Sequence, residues 1–79
     1  MKYIMFEDFS GVPVPVIFPR RIDFAELREQ IPYPTVLSAG YVQLRGTAFA
    51  CHGEARPLCA EARPEDAAII SERFTNPEE

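Results

Sequence analysis

The stretch Thr35–Ala55, TVLSAGYVQLRGTAFACHGEA, constrains this chain most, because it reads as a β-hairpin on which the other segments must pack. Val36 to Leu44 is rich in β-branched, aromatic and small residues, as strands are. Arg45-Gly46-Thr47 is the one turn signal before the next apolar run. A Gly46-Thr47 loop puts glycine first, as a type II′ turn wants. It sets Leu44 opposite Phe49, Val42 opposite Cys51 and Gly40 opposite Gly53. An Arg45-Gly46 loop instead sets Val42 opposite Phe49 and Gly40 opposite Cys51. Either register leaves Val42, Leu44, Phe49 and Cys51 on one face, since strand side chains alternate. A three-residue loop would mix the two sets, so an even loop is expected. The other face carries Tyr41, Gln43, Arg45, His52 and Glu54, a solvent-type set. Gly40 and Gly53 take side chains off the apolar face and mark a bulge or the close approach of a helix.

Upstream, Lys2–Glu7 alternates weakly and reads as a strand, and Asp8-Phe9-Ser10-Gly11 supplies turn residues. Val12–Phe18, VPVPVIF, reads as a second strand. Pro13 and Pro15 are two apart, so their missing N–H groups fall on the same side. That strand pairs normally on its other side and serves as a protected sheet edge. Residues 1–18 thus form an N-terminal hairpin. Asp23 is a good N-cap with Glu26 as its capping-box partner. Phe24, Leu27 and Ile31 share one face of a short helix over 23–31. Pro32 and Pro34 stop it. After the central hairpin of 35–55, Arg56–Glu61 is a loop or a brief extended piece. Pro64 suits the first position of a second helix over 64–74, with Glu65 and Asp66 near its positive end. Ala67, Ile70 and Phe74 are its buried stripe. Thr75-Asn76-Pro77 ends it, and 75–79 is a frayed tail. The order β-β-α-β-β-α predicts an α+β fold, a small four-stranded largely antiparallel sheet with both helices on one face. Strand order stays open.

The chain has 79 residues, which suits a single domain over 1–79. A domain that small buries only about 60–65% of its unfolded surface. With 47% hydrophobic residues and six Phe it still has the material for a core. Small domains gain support by association, so a homodimer is an expectation. The net charge of −4 argues against a nucleic-acid binder that relies on bulk charge. It is compatible with a basic partner or simply with solubility. The N-terminal apolar run meets Glu7 and Asp8 too soon for a signal-peptide core or a membrane span. The expected location is cytoplasmic, with no membrane contact.

No nucleotide-binding, metalloprotease or serine-hydrolase motif is present, and no carboxylate pair has a spacing that suggests acid–base work. Cys51 and His52 are adjacent, so on a strand the thiol and imidazole diverge. Cys51 then reads as a small core residue and His52 as a surface one. Cys51, His52, Glu54 and Cys59 match no compact zinc-ligand spacing, so no metal and no cofactor is expected. Whether Cys51 and Cys59 pair is open. Arg20 and Arg21 form a basic pair before the first helix and could hold an anion or line a cleft with Arg45. Tyr41, Gln43, Arg45 and His52 form a mixed aromatic and polar face, which suits a protein–protein contact. That face grows large enough to need a partner if Tyr3, Met5 and Val14 or Val16 also point there. The leading expectation is a non-enzymatic protein-binding module. The alternative is a small-ligand or sequestering protein with an Arg-lined cleft, at a dimer interface in one version.

VIFP at Val16–Pro19, SAGYV at Ser38–Val42 and RPEDAAII at Arg63–Ile70 carry a resemblance. The chain resembles small uncharacterised proteins encoded by tailed phages and bacterial prophages. These share an N-terminal hairpin ending near V-I-F-P, a short helix, an S-A-G strand and a closing R-P-E-D helix. The resemblance implies a phage accessory protein of the host cytoplasm, with a host or phage protein as partner. It implies no established activity and carries over no functional residues.

Overall fold

The computed structural model describes residues 1–46 and 48–75, the last two by backbone alone. Strands β1 (Lys2–Glu7), β2 (Pro13–Phe18), β3 (Thr35–Arg45) and β4 (Ala48–His52) form an antiparallel sheet in the order β2-β1-β3-β4. Helix α1 (Phe24–Gln30) joins β2 to β3, and helix α2 (Asp66–Thr75) closes the described chain. A two-stranded ribbon, β5 (Glu54–Ala55) and β6 (Ala60–Glu61), lies between β4 and α2 and folds back over a single 3₁₀ turn, Arg56–Leu58. The α+β class and the four antiparallel strands match the expectation. The piece after His52 does not, because 54–55 leaves the central hairpin to pair with 60–61.

The placement of the helices is a second correction. They lie on opposite faces of the sheet. Phe24 and Leu27 of α1 pack with Ile4, Phe6, Phe18 and Ala39. Ile69 and Ile70 of α2 pack with Tyr3, Met5 and Val42. β1 explains this: Tyr3, Ile4, Met5 and Phe6 are all fully buried, so both of its faces need cover. Tyr3 and Met5 therefore lie under α2 and cannot enlarge an exposed patch. β3 also bulges opposite Met5 and Phe6, where Ser38 pairs with Met5 and Val36 with Phe6. Leu37 turns to the α2 side as a result.

Local signals hold in part. Asp8 Oδ1 accepts from the amides of Ser10 (2.8 Å) and Val12 (2.9 Å), closing the first turn. Asp23 occupies the N-cap position of α1, but its side chain makes no capping hydrogen bond, so the capping box does not form. The central register is Leu44 opposite Phe49 and Val42 opposite Cys51, one of the two expected. Gly46 begins the loop with φ +63°. Thr47 lies outside the described residues, as do residues 76–79 and the side chain of Phe74, which was expected on the α2 stripe. α2 starts at Asp66, later than Pro64.

Gly40 is needed for a reason other than a packed helix. A Cβ there would stand 2.7 Å from the His52 carbonyl oxygen and 3.3 Å from that of Gly53. Main-chain oxygens cannot move aside as a side-chain tip can. Gly40→Ala is expected to cost about 1–3 kcal/mol as an overpacked site, read as a lowered denaturant midpoint with unchanged slope. A midpoint equal to the parent's would contradict the close approach.

Candidate functional site

The sheet brings five of the six sequence-derived site residues to one end of its α1 face, and four of them line one cleft. Tyr41 and His52 are cross-strand partners on β3 and β4. Their rings stack, with centroids 5.9 Å apart and planes 20° from parallel. Tyr41 also reaches the core, where its ring meets Phe24 edge-on at 5.9 Å. Tyr41 is thus half-buried, where a solvent-type residue was expected. Pro19 ends β2 and turns Arg20 toward β3, so the guanidinium carbon lies 5.7 Å from the centre of the Tyr41 ring. Gly53, at φ +81°, makes room for that ring, since a Cβ there would come within 2.9 Å of it.

Arg20, Tyr41, Gln43 and His52 line an open cleft of about 390 Å³ together with Met1, Val42 and Gly53. None of these residues is acidic, on a chain whose net charge is −4. Arg45 stands beside the cleft and donates to Gln43 Oε1 at 3.3 Å. Arg21 is exposed and does not line the cleft. Arg56 is spoken for, because Glu54 pairs with it at 3.0 Å. Arg20 makes no ion pair among the described residues, which leaves it available to an anion.

A second cavity of about 380 Å³ opens on the α2 side and shares Met1, Val42 and Gln43 with the first. Ile17, Leu44 and Phe49 complete its apolar wall. Leu44 (63% exposed) and Met1 (53% exposed) sit at its rim. The arrangement follows from strand length. β3 and β4 run past the end of β1, where mutual hydrogen bonds between Met1 and Val42 close the pairing. The overhanging hairpin and the end of β1 form a step with a cationic cleft on one side and an apolar one on the other. Met1 and Leu44 were absent from the sequence-derived set. An exposed Leu beside a hairpin loop carries no signal until the neighbouring strand is seen to stop short.

A buried polar cluster lies under α2. Asp66 has no solvent exposure. It accepts hydrogen bonds from the Tyr3 hydroxyl, from the Arg63 amide at 2.9 Å and from Arg63 Nε at 3.0 Å. Burial alone would raise its pKa. The bonds from Tyr3 and the Arg63 amide, with help from Ser38 and the guanidinium, outweigh burial and hold the carboxyl below its ordinary value. Ser38 Oγ is near enough to favour the carboxylate without making a hydrogen bond of full geometry. Burial, reinforced by Asp66, pushes the Tyr3 phenol upward. Cys51 touches the same cluster. Burial raises its thiol, the Tyr3 hydroxyl partly offsets this, and the charge of Asp66 adds to the rise. A raised pKa keeps the thiol protonated and weakly nucleophilic at neutral pH. Cys51 packs on the α2 side while His52 stacks on Tyr41, so no Cys51–His52 dyad exists. Cys51 and Cys59 are both free thiols.

No protein-family model matches the chain, and no curated protein or solved structure is detectably similar to it. Among the described residues, no helix is long and apolar enough to cross a membrane.

Proposed function

We propose that this chain is a non-enzymatic binding module that docks on an acidic segment of a partner protein through the Arg20–Tyr41–His52 cleft. The observation that carries this reading is an unpaired Arg over a Tyr–His stack, in a concavity without carboxylates, on an acidic chain. Tyr and Arg anchors beside an exposed apolar rim are the usual makings of a protein interface. The phage resemblance makes a host or phage protein in the host cytoplasm the expected partner. A second reading, a small anionic ligand in the same cleft, draws on its volume, which falls within the range of about 300–1,000 Å³ for small-molecule sites.

The test is an NMR titration with a glutamate-rich peptide and, separately, a thermal-shift screen of anionic metabolites. Peptide binding should move the Tyr41, Gln43 and His52 amide signals, and Arg20→Glu should weaken it about tenfold or more. Arg20 is exposed, so this substitution should alter stability by no more than about 0.5 kcal/mol. Peptide shifts spread over other surfaces, or indifferent to Arg20→Glu, would sink the reading. Stabilisation by a small anion alone would transfer the cleft to the second reading.

A further inference from the structure

The two edges of the sheet differ in a way that bears on how a partner docks. The mutual bonds between Met1 and Val42 set the phase of the hydrogen-bond ladders. Lys2, Ile4 and Phe6 then direct their main-chain groups at Phe18, Val16 and Val14 of β2. The main-chain groups of Pro13, Pro15 and Ile17 point away from β1, and two of these three residues have no N–H. That edge is blocked, as the proline spacing predicts.

At the opposite edge the phase runs the other way. Tyr41, Gln43 and Arg45 direct their main-chain groups at His52, Ala50 and Ala48. The N–H and C=O of Phe49 and Cys51 therefore point away from the sheet. None of these four groups has a partner among the described residues. Ala48–His52 contains no proline, lysine or acidic residue, so β4 has none of the usual sequence defences of an edge.

The side chains flanking this edge are sorted by face. Toward α1 stand Ala48, Ala50 and His52, with Arg45 across from Ala48 and the cationic cleft beyond. Toward α2 stand Phe49 and Cys51, with exposed Leu44 across from Phe49. A strand laid on β4 would present alternate side chains to these two faces. Charge complementarity calls for carboxylates on the first, and burial calls for apolar groups on the second.

We propose that β4 is a docking edge for an extended partner segment that alternates acidic and apolar residues and pairs with the main chain of Phe49 and Cys51. This rests on the acidic-partner reading above and adds its geometry, strand addition. The segment lies antiparallel to β4, as every other strand pair of the sheet does. Directly opposite residues then share a face, so the apolar residues of the segment pair with Phe49 and Cys51, and their N–H groups are the ones that bond to β4.

That consequence gives a test that leaves β4 itself unaltered. Three labelled heptapeptides alternating Glu and Val are compared by fluorescence anisotropy: unmodified, N-methylated on the valines, and N-methylated on the glutamates. A fourth carries the same residues in two blocks. The unmodified and N-methyl-glutamate peptides should bind alike. The N-methyl-valine and block peptides should bind about tenfold more weakly or worse. Saturation with the unmodified peptide should slow hydrogen exchange at the Phe49 and Cys51 amides. Equal binding of all four, still weakened by Arg20→Glu, would overturn strand addition and leave the acidic cleft standing. Failure of every peptide to bind would overturn both. A concentration-dependent dimer that protects the same two amides without peptide would assign the edge to a second copy and overturn the proposal.

Discussion

Asp66→Ala is expected to destabilise the chain by about 3–5 kcal/mol, the cost of breaking a buried charged network from one side. Removing the carboxylate leaves the buried Tyr3 hydroxyl and the Arg63 amide without their acceptor. Arg63, mostly covered, loses its contact with Asp66 at 3.0 Å. A domain of this length has a total stability of about 4–12 kcal/mol. The variant should therefore sit at the edge of folding, with a sharply lower denaturant midpoint by circular dichroism. Tyr3→Phe removes a donor and leaves Asp66 its Arg63 bonds, so its cost should be smaller, about 1–3 kcal/mol. A wild-type midpoint for Asp66→Ala would mean the cluster contributes nothing.

The same cluster sets the sign of two pH effects. The Asp66 carboxyl is held below its unfolded value, so its contribution is present above the unfolded carboxylate pKa of about 3.9. That contribution is lost as pH falls through the lower folded value. Tyr3 is raised, so its contribution is complete below the unfolded pKa of about 10 and declines as pH climbs beyond it. Cys51 is raised too, so its contribution declines above the unfolded thiol pKa of about 8.5, and stability should form a plateau between the carboxylate limit and that value. In Asp66→Ala the acid limb should lose part of its slope, and the alkaline limb should begin to fall less steeply as the Asp66 contribution to Tyr3 disappears. Unchanged limbs in the variant would place the titrating groups elsewhere.

The second large effect tests the two-sided architecture. Ile70 has no exposure and holds α2 on one face, while Phe24, 5% exposed, holds α1 on the other. Ile70→Ala should cost about 2–5 kcal/mol and Phe24→Ala about 3–5 kcal/mol. Since the sheet separates the two sites, a double-mutant cycle should show additivity within about 0.5 kcal/mol. A coupling above about 1 kcal/mol would indicate that the two side chains share one core, as packing on a single face would require. If the double variant does not fold, Ile70→Val and Phe24→Leu complete the cycle at lower cost.

That β1 needs cover on both faces is legible in the sequence, whereas the elements that supply the cover are not. Tyr3-Ile4-Met5-Phe6 is a continuous apolar run, and continuity, unlike alternation, marks a strand covered on both faces. The candidate cleft was legible in four of its members but not in its assembly. Tyr41, Gln43 and His52 share a hairpin face by alternation alone. Arg20 is distant from them in sequence and reaches Tyr41 only because β1 lies between β2 and β3. Arg21, adjacent to Arg20, is exposed and stays outside. Asp66 was expected to serve the helix N-terminus. Its hydroxyl partner is 63 residues away, and no local pattern announces such a pair.

By itself the sequence determined what depends on nearest neighbours along the chain. This covers the α+β element order, the alternating faces of the central hairpin, its even loop, and the proline-guarded edge at β2. These follow from backbone sterics and a two-residue period, which act over a few positions. Only the tertiary structure decided the strand order, the opposite placement of the helices, the step where β1 stops short of the β3–β4 hairpin, and the meeting of Tyr3 with Asp66. Each of these depends on which distant surfaces bury one another. That is settled by the whole set of faces needing cover, not by any one segment's preference.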